Sequence, residues 1–289
     1  MKVLIVGCGY VGSALGAELV RAGHHVFGLR RTRRNDAELV SAGVHPLTAD
    51  ICKPETLAAL DSAYDWVVHS VSASGGQASE YLEVYVEGTR NLVHWLSASV
   101  PKRFVYTSST GVYAQCDGSA VDETSPTTPT TETGQILLQA EEYLLNEAHQ
   151  TGFPASILRV AGIYGPGRAY WLEQMLAGSA RLDGAGDRVL NMVHRQDVAG
   201  AIDAALERGR TGWVYNVVDD EPVTHRIFLD WLAGHLGCPL PAMQEASDSR
   251  RRKRGLTSKR VSNHRLREEL AYQLRFRTFR QGYAALTGT

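Results

Sequence analysis

Six residues near the start constrain this chain more than any others: Gly7-Cys8-Gly9-Tyr10-Val11-Gly12 follow the apolar run Val3-Leu4-Ile5-Val6 without a break. Glycines at this spacing, between a strand and the opening of a helix, build the turn on which a dinucleotide's pyrophosphate rests. The first permits the tight turn, the second lets the backbone approach the phosphates, and the third lets helix and strand pack closely. Free N–H groups at the helix start then hold the anion. The motif predicts cofactor contacts at Gly7, Gly9, Tyr10, Val11 and Gly12.

The strand that follows, His25–Leu29, runs into Arg30-Arg31. A unit that binds NAD places an acid here, about 20 residues beyond the turn, to hold the ribose 2′-hydroxyl. A carboxylate would repel a 2′-phosphate, whereas a guanidinium pairs with it in a fork. Arg30 and Arg31 therefore favour NADP(H) over NAD(H), and Arg33 and Arg34 read as solvated loop. Asp50-Ile51, after the third strand, are expected beside the adenine.

Apolar runs of four to six residues alternate with helical-period segments through the first 165 residues, the pattern of βαβ units that build a parallel sheet. Strands are expected at Val3–Val6, His25–Leu29, Val44–Leu47, Trp66–Val71, Arg103–Thr107 and Ala155–Val160, with helices over Gly12–Arg21, Glu80–Leu96 and Gln135–His149. The fold class is thus α/β: a Rossmann, doubly wound parallel sheet over residues 1–165. Beyond Gly165 the elements shorten, glycines cluster at Gly178, Gly184 and Gly186, and a strand-like Trp213–Val218 stands among helical segments. Residues 166–289 are read as a smaller α/β substrate lobe, some of whose elements can return to the first sheet.

An apolar content of 44% with 21% charged residues, at a formal net charge of -1, gives no whole-molecule reason to expect nucleic acid or a membrane as partner. Twelve Lys and Arg stand against three Asp and Glu from Ala246 to Thr289, leaving about +9 there and about -10 on the preceding residues. The runs Arg250–Arg254 and Lys259-Arg260 read as solvated, with cover for an anionic substrate as the alternative. Four cysteines at unrelated spacings, Cys8, Cys52, Cys116 and Cys238, suggest neither a metal site nor a disulfide framework, and no signal segment or long apolar run is evident. A cytoplasmic location is expected. The sequence leaves oligomeric state open, a homodimer included.

Later motifs give the chain a resemblance to the short-chain dehydrogenase/reductase superfamily, in its extended branch of NAD(P)-dependent epimerases and dehydratases. They are Tyr106-Thr107-Ser108-Ser109-Thr110-Gly111-Val112-Tyr113, Arg159-Val160-Ala161-Gly162-Ile163-Tyr164-Gly165-Pro166-Gly167 and Asn191-Met192-Val193-His194-Arg195-Gln196-Asp197-Val198-Ala199. The resemblance implies a catalytic hydroxyl in the Ser-Ser stretch and a sixth-strand loop against nicotinamide and substrate. It also implies that His69-Ser70, at the end of the fourth strand, run close to the pyrophosphate and ribose.

The chain departs from that family at its defining pair. A helix aligned through Ala140-Glu141 puts Thr133 where the tyrosine belongs and Leu137 where the lysine belongs, and Tyr85 stands where the family has an asparagine. The family's chemistry needs a phenol made acidic by a neighbouring ammonium, and a threonine hydroxyl is far too weak an acid to replace it. Candidate catalytic groups become Ser109, Thr110 and Tyr113, with Tyr85 and Tyr164 as further phenols. His194 and Asp197 read as a helix cap and its neighbour, and Asp122-Glu123 as a loop. Ser262-Asn263 read as the cap of a terminal helix. Two function classes follow: an NADP(H)-dependent oxidoreductase or epimerase acting on a carbonyl or nucleotide-sugar substrate with non-standard acid–base groups, or a regulator that senses the cofactor without turnover.

Overall fold

Alternating runs of Val, Ile, Leu and aromatic residues leave the first strands nowhere to go but between two helical layers. The computed structural model, which describes residues 1–244 and 257–288, shows that arrangement. Seven strands form one parallel sheet: β1 (Lys2–Val6), β2 (His25–Arg30), β3 (His45–Thr48), β4 (Trp66–His69), β5 (Arg103–Ser109), β6 (Ala155–Val160) and β7 (Val214–Val217). Their spatial order is β7-β6-β5-β4-β1-β2-β3. Val3 to Val6 and the whole of β4 are buried, as strands covered on both faces must be. Val6 pairs with Leu29 on one side and His69 on the other. The strand order therefore reverses at β1, and the crevice at this switch point lies above the carboxyl ends of β1 and β4.

Helix α1 (Tyr10–Arg21) buries Gly12, Leu15, Gly16 and Leu19, one stripe at helical spacing. Helix α2 (Gly88–Leu96) completes the segment expected as one helix over Glu80–Leu96, which instead starts as an α-turn over Ala78–Tyr81 and widens into a π-turn over Leu82–Glu87. Wide turns of this kind re-aim side chains, and Tyr81, Val84 and Tyr85 here face the crevice. Helix α3 (Glu132–Thr151) begins where the Thr131 hydroxyl accepts from the Gly134 N–H and ends at Gly152 with φ 75°, a capped start and a left-handed stop.

The chain beyond residue 165 contributes to both parts of the molecule. Helix α4 (Arg195–Arg208) packs on α1, and β7 pairs with β6. A second core gathers Tyr164, Leu172, Leu182 and Met192 under helices α5 (His225–Leu236) and α6 (Phe279–Thr287), where Phe228, Phe279 and Tyr283 are almost wholly enclosed. The segment His264–Glu269 is helical but not terminal, since α6 follows it. Asn263 does not cap it: its side-chain amide donates to the Val218 carbonyl and to Asp220. Among the described residues no helix is long and apolar enough to cross a membrane. The run Arg250–Arg254 lies outside the described residues.

Candidate active site

The turn after β1 is set by Gly7, whose φ of 82° is one that L side chains rarely adopt, and an added Cβ would stand 2.6 Å from the Val71 nitrogen. Its N–H and that of Cys8 both donate to the Leu29 carbonyl, which locks the turn to β2. At Gly12 an added Cβ would meet Ile5 Cγ2 at 2.9 Å, so this glycine serves helix–strand packing. At Gly9 the nearest atom would be the Gly7 carbonyl at 3.9 Å. That open space lies at the helix start, where the first-turn N–H groups have no carbonyl within the helix to bind. The turn is shaped to take an anion against backbone.

A cleft of about 420 Å³ runs from this turn along the carboxyl ends of the strands. Gly7, Gly9, Tyr10, Val11, Arg30, Arg31, Asp50, Ile51 and Ser70 line one part of it, and Ser108, Ser109, Val160 and Ala161 line the other. Arg30 is fixed in its plane: Nε donates to the Cys8 carbonyl at 2.5 Å and Nη1 to the carbonyls of Arg34 and Asn35. Arg31 reaches Ser74 across the mouth at 3.1 Å. The Asp50 carboxylate accepts from the Cys52 N–H, and the Ser70 hydroxyl donates to the Gly7 carbonyl at 3.2 Å. Tyr10 lies under the guanidinium of Arg195, 4.7 Å from its ring centroid, and that of Arg168, 5.6 Å away. These residues fit a dinucleotide.

Besides Gly12, which lines neither cavity, two of the residues expected at the site lie elsewhere. His69 is fully enclosed beside the rings of Phe104 and Tyr106, with Nε2 bonded to the Thr89 hydroxyl at 2.9 Å. Burial pushes it down to about 3, so it is neutral, and only its neighbour Ser70 reaches the cleft. Tyr113 is fully enclosed as well. Its phenol accepts from Arg159 Nη1 at 2.9 Å and donates to Asn216 Oδ1 at 2.8 Å.

That phenol belongs to a buried chain of hydrogen bonds. The Ser108 hydroxyl donates to Glu141 Oε1 at 2.5 Å, and Arg159 grips the same carboxylate through Nε and Nη2, at 3.0 and 2.7 Å from Oε2. Burial alone would lower the Arg159 guanidinium; the charge and hydrogen bonds of Glu141 outweigh it and raise it. The sequence held the signal in plain view, an arginine inside the apolar strand Ala155–Val160 that no solvated side chain explains. His194 caps α4 through Nδ1, and burial, then Arg195, hold it down at about 4. Asp197 clamps the chain beyond Tyr272, accepting from the Tyr272 hydroxyl and the N–H groups of Arg275 and Phe276.

Ser109 and Thr110 remain at the site. The Ser109 hydroxyl accepts from the Gly111 N–H at 3.1 Å, leaving its own proton for another acceptor. Ser109, Ala161, Ile163 and Arg168 line both the cleft and a second cavity of about 440 Å³, which Thr110 joins. Arg168, Arg188 and Lys259 also line this second cavity, and no Asp or Glu does so among the described residues. Lys259, read from sequence as solvated, is 3% exposed. The alternation of buried Lys259, Val261 and Asn263 with outward Arg260 and Ser262 was the available sign. On α3 it is Leu137 that faces the cleft, while Thr133 lines neither cavity.

Over 280 residues the chain is 29% identical to protein YeeZ of Escherichia coli (strain K12), covering 95% of this chain and 96% of that protein. It is 26% identical over 259 residues to a 2-alkyl-3-oxoalkanoate reductase of Stenotrophomonas maltophilia, covering 83% and 77% of the two chains. The dTDP-glucose 4,6-dehydratase of Streptomyces venezuelae, solved with NAD bound, superimposes with a TM-score of 0.85 over 99% of this chain and 95% of that one at 24% identity, a likeness of fold. The model of the NAD-dependent epimerase/dehydratase family matches residues 3–218, and with the glycine turn, the switch-point cleft and the Ser108-Ser109 strand end in place, the chain belongs to that family.

Proposed function

We propose that this chain is an NADP(H)-dependent oxidoreductase acting on an anionic carbonyl or nucleotide-sugar-type substrate, with acid–base groups other than a tyrosine–lysine pair on α3. The observation that carries this reading is the continuity of the two cavities. A cleft with a glycine turn and Arg30 at one end opens, past Ser109, into a cavity that, among the described residues, three cations and no acid line. In such a site the first-turn N–H groups of α1 take the pyrophosphate. Arg30, whose Nε and Nη1 are committed to backbone carbonyls, presents Nη2 toward a 2′-phosphate. Bound nicotinamide supplies or takes the hydride. Ser109 offers its hydroxyl as a hydrogen-bond donor to a substrate oxygen, and Arg168 and Arg188 hold the substrate's negative charge. The similarity to a reductase of an oxoalkanoate supports a substrate that carries both a carbonyl and an anionic group.

The test is a fluorescence titration of the purified protein with NADPH and NADH. Tighter NADPH binding, with the order reversed in Arg30→Asp, is expected, and equal affinities in the unmodified protein would overturn the cofactor assignment. NADPH oxidation is then followed against a panel of oxo acids, oxo esters, aldehydes and nucleotide-linked keto sugars.

A further inference from the structure

Lys259 lines the second cavity, and among the described residues no carboxylate pairs with it. Its ammonium donates to the Tyr113 carbonyl at 2.8 Å and to the Thr257 hydroxyl at 2.9 Å. An ammonium has three protons to donate, and the third has no protein acceptor among the described residues. The first of these bonds holds the ammonium against the turn that follows Ser109 and Thr110, where the cleft and the second cavity meet. A purely structural tie between two loops has no need of a charge, and a buried charge without a counterion is costly. The charge gains a purpose if it faces a reacting oxygen.

We propose that Lys259 is the proton donor of this site: its ammonium gives a proton to the substrate's carbonyl oxygen while the carbonyl carbon receives hydride. This rests on the oxidoreductase reading given above. In the step, one N–H bond of Lys259 breaks and one O–H bond forms on the substrate. The carbon is reduced to the alcohol and the nicotinamide is oxidised. Water entering through the cavity then returns a proton to the neutral amine.

The surroundings are suited to this exchange. Burial lowers the Lys259 ammonium to about 8, an effect that the nearby Cys116 thiol opposes. Among the described residues, the other ionisable groups facing the cavity are the guanidiniums of Arg168 and Arg188 and the phenols of Tyr164, Tyr170 and Tyr283. Burial raises Tyr164 and Tyr283 out of range, and Tyr170 is 60% exposed. The ring of Tyr113 lies 5.9 Å from the ammonium, but its phenol is engaged by Arg159 and Asn216. Because an acid must hold its proton to donate it, reduction should proceed below pH 8 and fall away above it.

Two measurements test the assignment, and the first needs no substrate. The chain has five lysines, Lys2, Lys53, Lys102, Lys253 and Lys259, so the ¹³Cε resonances of lysine-labelled protein are few, and Lys259→Arg identifies one. That resonance should titrate near pH 8; titration at 10 or above would overturn the proposal. The second is the pH profile of kcat/KM with whichever panel compound is reduced. Lys259→Met should lower kcat by about 10²–10⁴-fold while the NADPH dissociation constant and circular dichroism stay unchanged. Lys259→Arg keeps the charge but cannot release a proton, so it should not restore the rate. Wild-type turnover in Lys259→Arg, or a profile flat between pH 7 and 9, would assign Lys259 a structural or electrostatic role instead. Failure to bind NADPH at all would sink the oxidoreductase reading while leaving the titration as an independent result.

Discussion

Glu141→Gln is the substitution whose outcome the structure fixes most sharply. Glu141 is fully enclosed, its partner Arg159 is 5% exposed, and the pair is bidentate. Glutamine keeps the shape and can still accept from Ser108, but it leaves a guanidinium buried without a counter-charge. Breaking a buried pair from one side costs about 3–5 kcal/mol. A chain of 289 residues has an unfolding entropy of about 0.6 kcal/mol/K, so Tm should fall by about 5–8 °C. The assay is thermal and urea unfolding followed by circular dichroism at pH 7.5. The double variant Glu141→Leu/Arg159→Met removes both charges and should recover at least half of the loss, since apolar replacement of a whole buried pair is often near neutral. A loss below about 1 kcal/mol in Glu141→Gln, or a double variant less stable than the single one, would refute the view that uncompensated charge is what matters here.

Gly9→Val should weaken NADPH binding more than about tenfold while the fold is retained, because an added Cβ at this position meets only open space; full affinity in a folded variant would remove the turn from the phosphate site. Ser109→Ala should lower turnover by about 10²-fold, the usual worth of one donor to a developing oxyanion, whereas Thr133→Val should leave kcat within about threefold since Thr133 lines neither cavity; the reverse pattern in steady-state kinetics would return α3 to the chemistry. Burial holds His69 at about 3 and His194 and His225 at about 4. Between these values and pH 6.5 the unfolded chain binds more protons than the folded one, so their contribution is complete above pH 6.5 and is lost as pH falls, at up to about 4 kcal/mol per unit for three protons. An unfolding free energy that stayed flat from pH 6.5 to 4.5 would show that these rings are not buried neutral.

The sheet was legible because its signals are local. Val3–Val6 and Ala155–Val160 are strands by their own composition, and both ends of α3 carry the residues that start and stop helices. The glycine turn was legible for the same reason, since strand, turn and helix are contiguous. The misplacements concern groups whose position depends on distant chain. Tyr113 is drawn into the interior by Arg159 and Asn216, 46 and 103 residues away. Lys259 is buried because its strand, Arg260–Val261, pairs with Ala120–Val121 and its ammonium meets Tyr113. The alternation around Val261 hints at a two-faced strand, but nothing near residue 259 encodes which distant strand it meets. His69 went astray for a subtler reason: side chains alternate faces along a strand, so Ser70 reaches the cleft only because His69 does not.

The hydrogen-bonded chain from Ser108 to Asn216 and the second cavity are two sides of one arrangement. Glu141 on α3, Ser108 on β5, Arg159 on β6 and Asn216 on β7 tie four elements together at the carboxyl edge of the sheet, and the turn carrying Ser109 and Thr110 is held between that edge and Lys259. A carboxylate, a guanidinium and a phenol are all spent on position, which leaves none of them free to face a substrate. Where α3 faces the cleft it offers Leu137, an apolar wall that lowers the local dielectric and strengthens the field of any cation nearby. The site thus separates two tasks that a tyrosine–lysine pair on one helix would combine. Rigid placement comes from the buried network, and on the proposal above the exchangeable proton is left to the Lys259 ammonium, carried by a distant segment of the chain.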